Sequence, residues 1–253
     1  MKHSRISHLR PGIAAVFFVA ALCTAQPGRR LETPSNRSLV TVVRVKPDML
    51  TEWIDLQRNA VVPALKKSGV KTRRVYASGV FGEAFEYTII QPMNSFREFD
   101  SPDVQAEAMG LLSNASMAEK LRRCVLGTSS FLRTSLPDIS NPGETQNPPL
   151  MAFLRLRVAP GKMYEYIDLY KAEVLPALKK ADSKVFAANR RLGTDGYDLT
   201  FETPLAKFAD LDAPPALIRA LGPETVGKIT AKLNPLATVI ENTILVLQAD
   251  LSF

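Results

Sequence analysis

Histidine is nearly missing from this 253-residue chain: there are two, His3 and His8, both within the first ten positions. From residue 9 onward no imidazole is available as a general base, metal ligand or haem ligand. A Ser-His-Asp or Cys-His nucleophile is therefore excluded. Cysteine is as scarce, with only Cys23 and Cys124. Cys23 falls in the leader described next, so Cys124 stands alone, no intrachain disulfide can form, and the fold must hold by packing. No zinc ligand set, phosphate loop, nucleophile elbow or dinucleotide fingerprint is present. No metal and no cofactor, neither haem nor flavin, is expected.

Long apolar runs are missing too. The run "GIAAVFFVAALC" over 12–23 has twelve residues, short of the roughly 20 that span a bilayer. It follows Lys2, Arg5 and Arg10 and precedes small residues ending at Ala25, the order of a secretory signal peptide over 1–25. The expected mature protein is secreted or periplasmic, about 228 residues long, with no membrane span. The polar stretch 26–37, "QPGRRLETPSNR", reads as a disordered lead-in. The net charge is +7, but three of those positive charges lie in the leader. The rest are scattered, with "KTRR" (71–74) and "RR" (190–191) the only short clusters. A basic stripe interleaved with aromatics is absent, so a nucleic-acid partner is not expected. With 46 % hydrophobic and 23 % charged residues, the composition is that of a globular protein able to bury a core.

What the chain does contain is a repeat. "RVKPDMLTEWIDLQRNAVVPALKK" (44–67) and "RVAPGKMYEYIDLYKAEVLPALKK" (157–180) match at thirteen of 24 positions, at a constant offset of 113. Unrelated stretches would share about one or two, so this is an internal duplication. The offset drops to 112 after the next hairpin, and "FLRTSLPD" (131–138) then lies over "TILVLQAD" (243–250). The expected units are 38–136 and 149–253, joined by a Pro-, Asn- and Gly-rich linker over 137–148.

Within each unit, alternating β-branched runs predict strands at 39–45, 72–78, 84–91 and 130–136, and at the matching positions 184–191, 197–203 and 243–249. The first helices carry Leu50, Trp53, Ile54, Val61 and Leu65 at helical spacing. Pro63 and its counterpart Pro176 interrupt that pattern and should kink or restart the helix. Further helical segments are predicted within 95–99 and 117–125, and again within 205–211 and 224–233. The order β-α-β-β-α-β is the ferredoxin-like split unit, an antiparallel sheet with helices on one face. The fold class is therefore α+β, with two tandem ferredoxin-like units closing their bare sheet faces on each other as an intramolecular pseudo-dimeric α/β barrel.

In element order, spacing and duplication the chain resembles the dimeric α/β-barrel superfamily. That group includes NIPSNAP proteins and antibiotic-biosynthesis-type monooxygenases, and the resemblance covers about 38–136 and 149–250. It implies one of several activities: haem enzymes with a histidine axial ligand, which this chain lacks, cofactor-free monooxygenases of aromatic polyketides, and small-molecule isomerases or lyases.

Strand parity sorts the candidate residues. Val43, Val45, Leu156 and Val158 share the apolar face expected under the helices. Val42, Arg44, Phe153, Arg155 and Arg157 share the mixed face expected to look into the barrel, with Glu86 and Asp198 across from the arginines. Buried arginines paired with carboxylates would hold the sheets in register. Alternatively, an arginine would bind an anionic ligand bidentately, Arg155 being the one without an evident partner. Trp53, Tyr164, Tyr166 and Tyr170 read as a core stripe.

Three functions stay open. The favoured reading is a secreted protein that binds a small, partly apolar, anionic molecule in the barrel or a sheet–helix pocket, through Arg44, Arg155, Arg157, Glu86 and Asp198. The alternatives are a cofactor-independent monooxygenase-like enzyme, with Trp53, Tyr76, Tyr87 and Tyr197 lining its pocket, and an interaction module with a packed interior. The internal pair would leave the chain monomeric.

Overall fold

The computed structural model describes residues 36–100, 115–143 and 147–253. The signal-peptide reading and all but the end of the lead-in lie outside them. Arg37, read as lead-in, already opens the first strand.

Eight strands form one closed antiparallel barrel: β1 (Arg37–Val45), β2 (Arg74–Ser78), β3 (Glu86–Pro92), β4 (Val125–Ser135), β5 (Leu150–Val158), β6 (Phe186–Arg190), β7 (Asp198–Leu205) and β8 (Ala237–Leu247). Their order around the barrel is β1-β3-β2-β8-β5-β7-β6-β4. Each first strand lies between its third and fourth, so the same four-strand order occurs twice. Two short seams complete the closure. Tyr76, Ala77 and Ser78 of β2 face Leu247, Val246 and Leu245 of β8, and Arg133, Thr134 and Ser135 of β4 face Arg190, Asn189 and Ala188 of β6. Closure gives every strand two neighbours, although β4 and β8 meet the next strand only near their C-terminal ends.

β4 and β8 are longer than the sequence pattern predicts. Val125–Ser130 has a Gly-Thr-Ser-Ser stretch with no apolar alternation, yet pairs along the far half of β1. The ladder, rather than the side chains, makes that segment a strand. The helix Ala216–Leu221 was also not expected from the sequence. It follows Pro214 and Pro215, which mask a short helical pattern. The linker is not loose: Ile139 is fully buried with the β5–β7 core, and Asn141 bridges Val185.

The barrel's outer face is covered by helices, and strand parity decides what lies beneath them. Val43, Val45, Tyr87 and Ile89 pack with Trp53 and Cys124. Leu156, Val158, Leu199 and Phe201 pack with Tyr166, Tyr170 and Ile229. Tyr164, read as part of the aromatic stripe, is instead 83 % exposed. Val40, Tyr76, Ile90, Phe131, Met151, Phe153 and Leu245 form a third cluster on the inner faces of the strands.

Each first helix widens to a π-turn, at Gln57–Val61 and again at Tyr170–Val174, then resumes as an α-helix with proline in its first turn. Pro63 and Pro176 bring no N–H, and their rings would strike the carbonyl four residues back; the wider turn relieves that contact. The turn also sets Gln57 against Arg73. The Arg73 guanidinium donates to Gln57 Oε1 at 2.7 Å and to the Leu251 carbonyl at 2.9 Å. Burial lowers its pKa to about 10, so it remains charged at neutral pH and ties the C-terminal turn to the first helix.

Gly193, between β6 and β7, has φ +86°, and a Cβ there would lie 2.6 Å from the Ser130 carbonyl oxygen. Gly193→Ala therefore adds a clash to a left-handed strain. A loss of about 1–3 kcal/mol of stability is expected in a urea titration, together with a looser β4–β6 seam.

Candidate functional site

The inner faces of the strands do not fill the barrel. They enclose a cavity of about 630 Å³ that opens near the C-terminal ends of β1 and β5. Its wall combines apolar residues such as Val42, Phe131 and Phe153 with eight charged ones: Arg44, Arg133, Arg155 and Arg190, and Glu83, Glu86, Glu202 and Glu241. This size and mixture are typical of small-molecule sites.

Register places the expected residues. Arg44 on β1 stands opposite Glu86 on β3, and Arg157 on β5 opposite Asp198 on β7. Arg44, Glu86 and Arg155 line the cavity; Arg157 and Asp198 do not, and sit together beside its mouth. There Arg157 Nε donates to Asp198 Oδ1 at 2.6 Å, and Nη1 to Asp195 Oδ2 at 2.8 Å. Asp198 is 2 % exposed, and its hydrogen bond and charge raise the Arg157 pKa. That pair is structural in character.

Arg155 is not unpaired, as the sequence suggested. Its Nε lies 3.2 Å from Glu241 Oε2, too skewed for a good hydrogen bond, and its Nη1 lies 3.8 Å from Asp198 Oδ2. Glu241 comes from β8, a strand whose N-terminal half the sequence pattern did not reveal. The four aromatics Trp53, Tyr76, Tyr87 and Tyr197 do not share a pocket either. Trp53 and Tyr87 meet on the helix side as a tilted pair with centroids 4.4 Å apart, Tyr197 is on the surface, and Tyr76 lies inside the barrel.

The groups that sequence reasoning missed lie deeper. Arg133 on β4 and Glu202 on β7 form an ion pair with both side chains almost fully buried. Arg133 also lies over the Phe186 ring at 5.1 Å. With Met151, Glu202 lines both the main cavity and a second one of about 370 Å³, where Arg74 and Tyr76 sit. Arg190 on β6 is 8 % exposed and stacks over Phe131 at 4.0 Å. The "RR" cluster at 190–191 was the available signal, but parity within a short strand next to a glycine loop was needed to aim Arg190 inward.

Electrostatics single out Glu86. Burial raises its pKa, and Glu241 and Glu83 nearby raise it further, against the opposing pull of Arg44 and Arg155. It is a carboxyl of raised proton affinity, facing a cavity and flanked by cations, the arrangement that suits a general base.

A third cavity, of about 290 Å³, lies between the second set of helices and the sheet, lined mainly by apolar residues with Tyr166, Tyr170, Thr230 and Asn242. A haem on a histidine does not fit it. Among the described residues there is no histidine, and burial raises the pKa of both phenols and keeps them neutral. No group of side chains suited to a metal ion occurs among the described residues, and no described helix is long and apolar enough to cross a membrane.

No family model matches the chain, and no curated protein does. Solved structures do. An anthrone oxidase-like protein aligns with a TM-score of 0.55 at 10 % identity, covering 84 % of this chain and 93 % of that one. A monooxygenase-like protein from Lactobacillus acidophilus NCFM gives 0.54 at 8 % identity, covering 85 % and 94 %. A mutant chlorite dismutase from Candidatus Nitrospira defluvii gives 0.53 at 13 % identity, covering 86 % and 94 %. At these identities the likeness is one of fold: the chain has the dimeric α/β-barrel architecture that the sequence resemblance implied.

Proposed function

We propose that the chain is a monooxygenase-like enzyme that works without a cofactor on a small molecule held in the barrel cavity. The observation that carries this is Glu86, a base of raised proton affinity beside Arg44 and Arg155 in a cavity large enough for a two- or three-ring substrate. The fold likeness to monooxygenase-like and anthrone oxidase-like proteins supports this reading over that of a passive binding protein.

The chemistry suits a substrate with an acidic methylene. Glu86 takes a proton from that carbon, and the arginines hold the resulting enolate oxygen, as preorganised cations do for developing oxyanions. The carbanion gives its electrons to dioxygen, the co-reactant, to form a hydroperoxide. Loss of water, with the proton returned by Glu86, leaves a carbonyl. In sum CH2 and O2 become C=O and H2O, so carbon is oxidised and dioxygen reduced.

The test uses dithranol, an anthrone, with purified protein in an oxygen electrode. The expected result is protein-dependent consumption of one O2 per quinone formed, detected by the quinone's visible absorbance. Binding of dithranol without any increase in oxygen uptake would instead favour a carrier.

Two further elements belong to this proposal. The barrel is a fused pair of tandem ferredoxin-like units; the repeated strand order and the constant 112-residue offset between the ladders of β2–β3 and β6–β7 support that origin. The protein is exported and cleaved after Ala25. Intact mass of material recovered from a secreting host should correspond to a chain starting at Gln26, and retention of the full leader would refute it.

A further inference from the structure

The ladders relate each half of the barrel to the other. Ala77 pairs with Tyr87 as Asn189 pairs with Leu199, so Arg190 occupies the position of Ser78, and both line the main cavity. One half thus keeps a small hydroxyl where the other projects a guanidinium. Arg133, Arg155 and Arg157 each meet a carboxylate. Arg190 does not: among the described residues no carboxylate forms an ion pair with it, and its buried Nε has no hydrogen-bond partner. The Phe131 ring covers one face of the guanidinium at 4.0 Å, and among the described residues no carboxylate takes its edge.

A cation that is nine-tenths buried, unpaired and turned into a cavity is costly unless something neutralises it. Neighbouring Arg133 and Arg155 add to that cost, while Glu241 and Asp198 offset it only from a distance. The free edge of a guanidinium matches a planar carboxylate, two N–H donors to two oxygens. Phe131 and Phe153 offer apolar surface on the same wall.

We propose that Arg190 is a specificity-determining residue: it receives the carboxylate of an aromatic acid whose ring lies against Phe131 in the main cavity. This rests on the reading of that cavity as the ligand site and narrows the substrate to a class, aromatic acids with a carboxylate remote from the reacting carbon.

The probes are salicylate and salicylamide, which share ring and hydroxyl and differ in charge, titrated into the full chain by calorimetry and thermal shift. Salicylate is expected to bind at least about tenfold more tightly than salicylamide and to raise Tm. Arg190→Met should abolish that preference while leaving the weak salicylamide binding unchanged, and Arg190→Lys should retain part of it. The methionine variant should melt no lower than the parent in the absence of ligand, since it removes an uncompensated charge; a purely structural arginine would show the opposite. Equal affinity of the parent protein for the two probes, binding of neither, or an undiminished preference in Arg190→Met would each overturn the proposal. The comparison within the parent protein decides the matter even if a variant fails to fold. Dithranol carries no carboxylate, so loss of the salicylate preference with intact dithranol oxidation removes only this inference, and the converse result removes only the oxygenase reading.

Discussion

Replacing Glu202 with alanine is expected to lower the unfolding free energy by about 3–5 kcal/mol, the usual consequence of breaking a buried ion pair from one side. Arg133 is 4 % exposed and Glu202 5 %, so neither charge can turn to bulk water when its partner goes. The single change would leave Arg133 beside Arg190, its direct neighbour across the β4–β6 seam, with two like charges in a low-dielectric wall. Arg133→Met alone should also destabilise, because Glu202 then stays buried without its ion-pair partner, although the charge of Arg74 nearby offsets part of that cost. The double variant, Arg133→Met with Glu202→Leu, should recover most of the loss, since removing both charges also removes their desolvation penalty. Guanidinium titrations of the four proteins form a thermodynamic cycle. Single variants as stable as the parent would mean that the pair is not coupled.

Glu86→Gln carries the second large effect. If Glu86 is the base, dithranol turnover should fall about 10²–10⁴-fold, the typical contribution of a positioned proton acceptor. Stability should move the other way. The carboxyl's pKa in the folded protein is raised from the ordinary value of 4.5, chiefly by burial. The folded state therefore holds this proton more tightly than the unfolded state. As pH rises from 4.5 through the raised value, ionisation penalises the fold, and the penalty is complete above that value. Glu86→Gln escapes it, so at neutral pH it should equal or exceed the parent in stability, and the difference should vanish below about pH 4.5. The rate profile of the parent should rise with pH through the same window. Unchanged turnover in Glu86→Gln would remove Glu86 from the chemistry.

These two residues also mark how far the sequence could be read. The repeat in the sequence pointed to the strand faces and to Glu86, because Arg44 and Glu86 recur as Arg157 and Asp198 at matching positions. Repetition draws attention to what the two halves still share, and in this chain that is the framework at the barrel's mouth. The deeper charges are where the halves differ. By the ladder offset, Glu202 stands where the first half has Ile90, Arg190 where it has Ser78, and Glu241 where it has Ser129. None of these stands out in a linear reading. Glu202 follows Phe201 in the middle of β7, and Glu241 lies in a segment with no apolar alternation. Seam pairing between strands more than 50 residues apart brings Arg133 beside Arg190, and no local pattern encodes that contact. The paired state of Arg155 was hidden for the same reason, since its partner came from an unrecognised stretch of β8.

Met151 and Glu202 face both chambers of the barrel, so the two spaces have side chains in common. A substitution at either position therefore reshapes both rooms at once, and width gained on one side is felt on the other.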